Sequence, residues 1–70
     1  MEYVKVLYPF VRDVFVNGEL CGRSNVLMTV GPGTQQIDLG HPVDYTPRQC
    51  RVTVSGTSRT RPCSISFSPL

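Results

Sequence analysis

The sequence predicts an all-β fold, a small antiparallel β-sandwich-like domain of about six or seven short strands. Short apolar runs alternate with polar residues, which is the two-residue period of a strand with one buried face. No window keeps apolar residues at helical spacing without an interrupting glycine or proline, and the 70 residues include six of each. The dipeptide Asn17-Gly18 predicts a tight β-hairpin, because both residues tolerate the positive φ that a type I′ turn requires.

The first two predicted strands lead into that hairpin. Residues 3–7 form the first strand, which ends before Pro9 because proline cannot donate a hydrogen bond to a ladder. Residues 12–16 form the second strand, and the third follows the turn. A two-residue loop sets the register of the hairpin. The predicted cross-strand pairs are Val16 with Glu19, Phe15 with Leu20, and Val14 with Cys21.

A second hairpin is predicted at Gly31-Pro32-Gly33-Thr34. Proline presets φ at the second position of a type II turn, and Gly33 supplies the positive φ at the third. Residues 26–30 form the strand before the turn, and this register places Met28 opposite Ile37 and Val26 opposite Leu39. Residues 40–47 contain two prolines and a glycine, which predicts the longest loop of the chain.

The last two predicted strands cover residues 48–55 and 62–67. A two-residue loop between them would set Cys50 across from Cys63, but it would also place arginines opposite valines. A four-residue loop over residues 57–60 keeps the apolar side chains together on one face. We therefore predict an antiparallel hairpin with free thiols and with the following pairs: Val54 with Cys63, Val52 with Ile65, and Cys50 with Phe67.

Length and charge limit the classes of function. A chain of 70 residues is predicted to be one domain, residues 1–70. Its core is predicted to be thin, because domains of this size bury only about 60% of the surface that the unfolded chain exposes. The net charge of +2 does not by itself indicate nucleic-acid binding. Residues 1–9 lack a signal-peptide pattern, and no apolar stretch reaches the roughly 20 residues that cross a bilayer. These features favour a cytoplasmic protein.

The three cysteines and the single histidine predict no reaction. Cys21, Cys50 and Cys63 are an odd number without C-x-x-C spacing, which favours free structural thiols, with one disulfide as the alternative. No two of them share a tight turn with each other or with His41, as structural zinc ligands usually do. A nucleophilic thiol must also be exposed and activated, whereas alternation predicts that Cys50 and Cys63 are buried. We predict no enzyme activity, no metal and no cofactor.

The candidate contact surface lies in the C-terminal third of the chain, where arginines gather near a tyrosine. Its residues are Tyr45, Arg48, Arg51, Arg59 and Arg61. We predict a non-enzymatic interaction or structural module with a protein partner or a second copy. The alternative function is a small basic β-barrel that binds single-stranded nucleic acid, since arginines grip phosphates and an aromatic ring stacks a base. Outward charges at a sheet edge also discourage sheet-to-sheet pairing.

A second candidate surface is the segment that contains Tyr8, Phe10 and Val11. These apolar residues follow a predicted strand and have no obvious partner in the sequence. They either fill the end of the core or form an exposed patch for a second subunit, because a thin core makes self-association a way to bury more apolar area. Homodimerisation is therefore a hypothesis.

The order of turn and strand residues resembles the PEGA domain over residues 12–67. The resemblance implies a small, non-catalytic β-sandwich-like module, often appended to larger bacterial or archaeal proteins, including envelope proteins, and it implies no catalytic residues. Arg23-Ser24 stands where the family usually has Thr-Pro. The segments that carry the resemblance are Val14-Phe15-Val16-Asn17-Gly18, Gly22, Gly31-Pro32-Gly33, Ile37-Asp38-Leu39, Asp44-Tyr45 and Val52-Thr53-Val54.

Overall fold

Nine β-strands and no helix make up the fold in a computed structural model that describes residues 1–70. The predicted all-β class is confirmed. The strands are β1 (Glu2–Leu7), β2 (Asp13–Val16), β3 (Glu19–Arg23), β4 (Leu27–Val30), β5 (Gly33–Asp38), β6 (Tyr45–Thr46), β7 (Cys50–Val54), β8 (Cys63–Ser66) and β9 (Ser68–Pro69). The additional strands are β6, inside the predicted loop, and β9, after the last predicted strand. The structure contains no helix of the length and apolarity needed to cross a membrane.

The strands form two main sheets and a short ribbon. One sheet has the order β4-β1-β8, the other has the order β3-β2-β5-β7, and β6 pairs with β9. All pairs are antiparallel except β1 with β8, which is parallel. Both main sheets contribute side chains to one hydrophobic cluster, so the core lies between them.

The hairpin at Asn17-Gly18 is confirmed. The two residues have φ of 52° and 84°, as a type I′ turn requires. Val16 pairs with Glu19 and Phe15 pairs with Leu20, as predicted. The predicted pair of Val14 with Cys21 is wrong, because the register shifts by a β-bulge and Val14 pairs with Gly22 instead. The bulge leaves one residue of β3 without a partner on β2.

The predicted hairpin of residues 26–30 with the strand after Pro32 is wrong. Met28 on β4 pairs with Val4 on β1, and β5 pairs with β2 and β7. Gly33 has the predicted positive φ, 102°, but the turn carries the chain from one sheet to the other. Met28 and Ile37 are both buried and lie on opposite sides of the core. The predicted partner of Leu39, Val26, lies outside β4 and is 57% exposed, whereas Leu39 is buried. Alternation predicts which side chains of a strand share a face, but not which strand it pairs with.

The predicted pairing of the last two strands is wrong for the same reason. Cys50 on β7 pairs with Ile37 on β5, and Ile65 on β8 pairs with Val6 on β1. Residues 55–62 therefore cross between the sheets. Thr57 anchors this crossing, because its hydroxyl accepts a hydrogen bond from the backbone N–H of Tyr3 at 2.7 Å and donates one to the Glu2 carboxylate.

The core consists of twelve buried hydrophobic residues. Predicted inward positions such as Val54, Ile65 and Phe67 are among them, with exposures of 5% or less. Cys50 and Cys63, which alternation predicts to be buried, are only half-buried, and Cys21 is exposed; all three are free thiols. The twelve are Val4, Val6, Tyr8, Val14, Met28, Val30, Ile37, Leu39, Tyr45, Val54, Ile65 and Phe67.

Candidate functional site

The structure separates the five residues of the predicted contact surface. Arg51 lies on β7, and Arg48 lies in the loop before this strand. Arg59 and Arg61 lie in the crossing between β7 and β8, beyond the other end of β7. All four arginines are exposed. They therefore extend along β7 and past its two ends and do not form one compact cluster.

Tyr45 lacks the exposure that a contact residue requires. The side chain is only 3% exposed, since its ring packs edge-on against Phe67 and Tyr8, with centroids 5.6 Å and 6.4 Å away. Its hydroxyl donates to the carbonyl of Gly40 at 3.0 Å and accepts from the amide of Leu39 at 3.1 Å. The ring belongs to the core, so its faces are not free to stack a nucleic-acid base.

The four arginines of the predicted contact surface differ from Arg12 and Arg23 in having no acidic partner. Arg12 lies 2.7 Å from the Asp44 carboxylate, and Arg23 lies 3.6 Å from the Asp13 carboxylate. The arginines at positions 48, 51, 59 and 61 form no ion pair, and residues 45–70 contain no Asp or Glu. This part of the surface therefore carries four positive charges that the chain itself does not neutralise.

The Arg12–Asp44 pair is a feature that the sequence does not predict. The Arg12 guanidinium also donates to the carbonyls of Leu39 and Pro42, at 3.3 Å and 2.9 Å, and lies 5.4 Å from the centre of the Tyr45 ring. Its hydrogen bond lowers the pKa of Asp44 below the ordinary value. Because 32 positions separate the two residues, no local pattern signals the pair. It fastens the loop after β5 to the segment before β2.

A shallow depression of about 210 Å³ lies at this end of the molecule. Two residues of the predicted contact surface, Tyr45 and Arg48, line the depression. The other lining residues are Asp38, Gly40, His41, Val43 and Gln49. No cysteine lines the depression, so it brings no thiol to His41. No group of three His, Cys, Asp or Glu side chains is close enough together to hold a metal ion.

The segment after β1 divides between the core and the surface. Tyr8 fills the core and is 6% exposed, whereas Phe10 and Val11 are 62% and 64% exposed. The Asn25 side chain accepts from the Tyr8 amide at 3.2 Å and donates to the Tyr8 carbonyl at 2.7 Å. Ser24 is fully buried, and its hydroxyl donates to the Phe10 carbonyl at 2.8 Å. These hydrogen bonds hold the two exposed apolar side chains on an ordered loop.

The outer edge of β7 has no neighbouring strand. The strand is the last member of the four-stranded sheet and is hydrogen-bonded only to β5. None of the backbone hydrogen bonds outside the sheets involves residues 50–54. The exposed Arg51 thus lies on a strand with an open hydrogen-bonding edge.

Comparison of the chain with protein-family models, curated proteins and solved structures finds no match. The resemblance to the PEGA domain therefore stays a prediction from the residues.

Proposed function

We propose that this chain is a non-enzymatic interaction module that binds an acidic region of another protein through the surface of Arg48, Arg51, Arg59 and Arg61. The observation that carries the proposal is the lack of any carboxylate partner for these side chains. Both other arginines have one within 4 Å. A row of exposed charges of one sign attracts partners of the opposite sign and accelerates their association.

A protein partner is favoured over single-stranded nucleic acid by the position of Tyr45. Single-strand binding combines a basic groove with exposed aromatic rings on which bases stack. The arginines supply the charge, but the one aromatic residue near them in the sequence is 3% exposed. Nucleic-acid binding would then rest on phosphate contacts alone and would fall steeply with salt.

Binding of two polyanions tests the proposal. Polyglutamate and a single-stranded oligonucleotide of matched length are titrated against the chain at low and moderate salt. We expect polyglutamate to bind at low salt and the fourfold Arg→Gln variant of the proposed surface to lose this binding, whereas Arg23→Gln binds normally. Failure of polyglutamate to bind would contradict the proposal, and tighter, steeply salt-dependent binding of the oligonucleotide would favour the nucleic-acid alternative.

Self-association is a second candidate function, favoured by the exposure of Phe10 and Val11. Phe10 and Val11 are adjacent and form a contiguous apolar patch, and contiguous exposed apolar patches mark contact sites. A thin core gains buried area from a second copy. Sedimentation equilibrium at increasing concentration tests this candidate. We expect a dimer that Phe10→Ser dissociates; a monomer at millimolar concentration would exclude it.

A further inference from the structure

We propose that β7 accepts an extended segment of the partner as a fifth strand of its sheet, and that this segment alternates acidic with aliphatic residues. The inference rests on the proposed function and specifies its partner and mode of binding. Addition of a strand to an open sheet edge is a recurring way to bind peptides: backbone hydrogen bonds supply affinity and alternate side chains supply specificity.

The backbone of β7 has free hydrogen-bonding groups at two identifiable residues. Asn17 donates its amide to the carbonyl of Gln36 at 2.7 Å, so the backbone groups of Gln36 point towards β2. Backbone direction alternates residue by residue along an antiparallel strand. Gln36 lies opposite Arg51 in the pairing of β5 with β7, and this is a pair without mutual hydrogen bonds. The N–H and C=O groups of Arg51 and Thr53 therefore point outwards from the sheet edge.

The side of the sandwich next to this edge is incompletely covered. Cys50 and Val52 on β7 and Cys63 on β8 are half-buried and pack against the core. β8 is also an edge strand, since it pairs only with β1. A strand added to β7 would place alternate side chains towards Cys50 and Val52. Aliphatic residues at those positions would bury apolar surface that the chain leaves partly exposed.

The opposite face of the same strand selects for acidic residues. Arg51 is exposed there and lies beside Thr53, whose hydroxyl is 3.1 Å from that of Thr34. Carboxylates of the added strand would lie directly across from Arg51, where opposite charges stabilise a cross-strand pair. Arg48, Arg59 and Arg61 extend the positive charge past the strand ends. A second copy of β7 would bring like charges together, so this edge favours an acidic partner over self-pairing.

Peptides of eight residues test the proposal with the ¹⁵N-labelled chain. The probes are alternating Glu–Val, alternating Lys–Val and alternating Glu–Ser peptides, followed by amide chemical shifts and hydrogen exchange. We expect Glu–Val to bind tightest and to slow exchange of the Arg51 and Thr53 amides. Equal binding of Lys–Val would overturn the charge selection, and equal binding of Glu–Ser would overturn the aliphatic requirement.

Two variants with matched controls separate edge pairing from general charge attraction. Thr53→Pro removes an outward N–H that β5 does not use, whereas Thr53→Val keeps that N–H and loses only the hydroxyl. We expect Thr53→Pro to weaken Glu–Val binding roughly tenfold, the loss of about one ladder hydrogen bond, relative to Thr53→Val. If Thr53→Pro does not fold, slower exchange of the Arg51 and Thr53 amides when Glu–Val binds the native chain is the second test of edge pairing, and unchanged exchange would overturn it. Arg51→Glu, with Lys5→Glu as the control for net charge, tests the charge selection alone.

The outcomes distinguish this inference from the proposed function. If polyglutamate and the Glu–Val peptide each bind Thr53→Pro and Thr53→Val with equal affinity, strand addition is overturned. The proposal of an acidic partner would then still stand. No binding of any acidic probe at low salt would contradict both.

Discussion

At the scale of single residues, Arg12 and Asp44 tie together two segments that lie 32 positions apart in the chain. The hydrogen bond from Arg12 holds the pKa of Asp44 below its ordinary value. A carboxylate with a lowered folded-state pKa stabilises the fold above its unfolded-state pKa, and this stabilisation is lost as the pH falls through the folded-state pKa. The pair therefore contributes at neutral pH and is lost in acid, below about pH 4.

Replacement of Arg12 tests this coupling. We expect Arg12→Met to raise the pKa of Asp44 towards its ordinary value, and to lower stability at neutral pH more than Arg23→Met, because the Arg23 pair is longer and more exposed. An NMR titration of the Asp44 carboxyl carbon, with urea unfolding, measures both effects. An unchanged pKa of Asp44 would show that Arg12 does not bind it in solution.

Position 40 requires a glycine, because its backbone has a positive φ and Phe15 leaves no room for a side chain. Its φ is +71°, and a Cβ at this position would lie 2.6 Å from a ring carbon of Phe15. Gly56 has a similar φ of +66° with nothing within 4 Å of its Cβ position, so it is a matched control. We expect Gly56→Ala to cost about 1–2 kcal/mol from backbone strain and Gly40→Ala to cost about 1–3 kcal/mol more from overpacking. Urea unfolding that gave equal losses would contradict the steric explanation.

The sequence predicts some single residues well and others poorly. Asn17 and Gly18 have the predicted positive φ, because the turn depends on those two residues alone. Tyr45 is predicted to belong to the contact surface because it lies close to the arginines in the sequence, but it is buried. Its burial depends on Phe67 and Tyr8, which are distant along the chain, so no local pattern could reveal it.

At the scale of elements, local turn chemistry determines strands and tight hairpins but not which strands become neighbours. The β2–β3 hairpin follows from two adjacent residues. The positions of β7 and β8 in different sheets depend on contacts such as Thr57 with Glu2 and Tyr3, more than 50 positions apart. In both predicted hairpins that failed, most of the predicted inward residues are buried, with Val26 as the exposed exception. Period two reports the face of a strand and not its partner.

In the loop that carries Phe10 and Val11, side chains of Ser24 and Asn25 supply the hydrogen bonds to the backbone that a neighbouring strand would supply in a sheet. Glycine tolerates the φ of 65° at position 25, so Asn25→Gly removes only the side chain. We expect it to lower the free energy of unfolding by about 1–2 kcal/mol through the loss of two hydrogen bonds to Tyr8. Amide exchange at Tyr8 should accelerate. Asn25→Asp keeps the acceptor for the Tyr8 amide but turns a second carboxylate oxygen towards the Tyr8 carbonyl, so it should cost at least as much as Asn25→Gly. Equal stability of Asn25→Gly and the native chain would contradict this role.

At the scale of the whole molecule, the parallel pairing of β1 with β8 leaves β7 at an open edge. The sequence predicts the all-β class and the aliphatic inner faces, which follow from composition and alternation. It does not predict the edge, because the predicted β7–β8 hairpin would have covered it. The sequence shows that residues 45–70 are positively charged. That Arg51 lies on a strand with an open edge follows only from the order of strands in the sheet.

Amide hydrogen exchange along β7 in the free chain shows whether the outer edge of this strand is open. We expect protection to alternate along the strand. The amides of Val52 and Val54 point to β5 and exchange slowly, whereas those of Arg51 and Thr53 point outwards and exchange fast. If the amides of Arg51 and Thr53 were as well protected from exchange as that of Val52 in the monomer, another strand of the chain would already cover this edge. That result would contradict both the topology and the binding surface built on it.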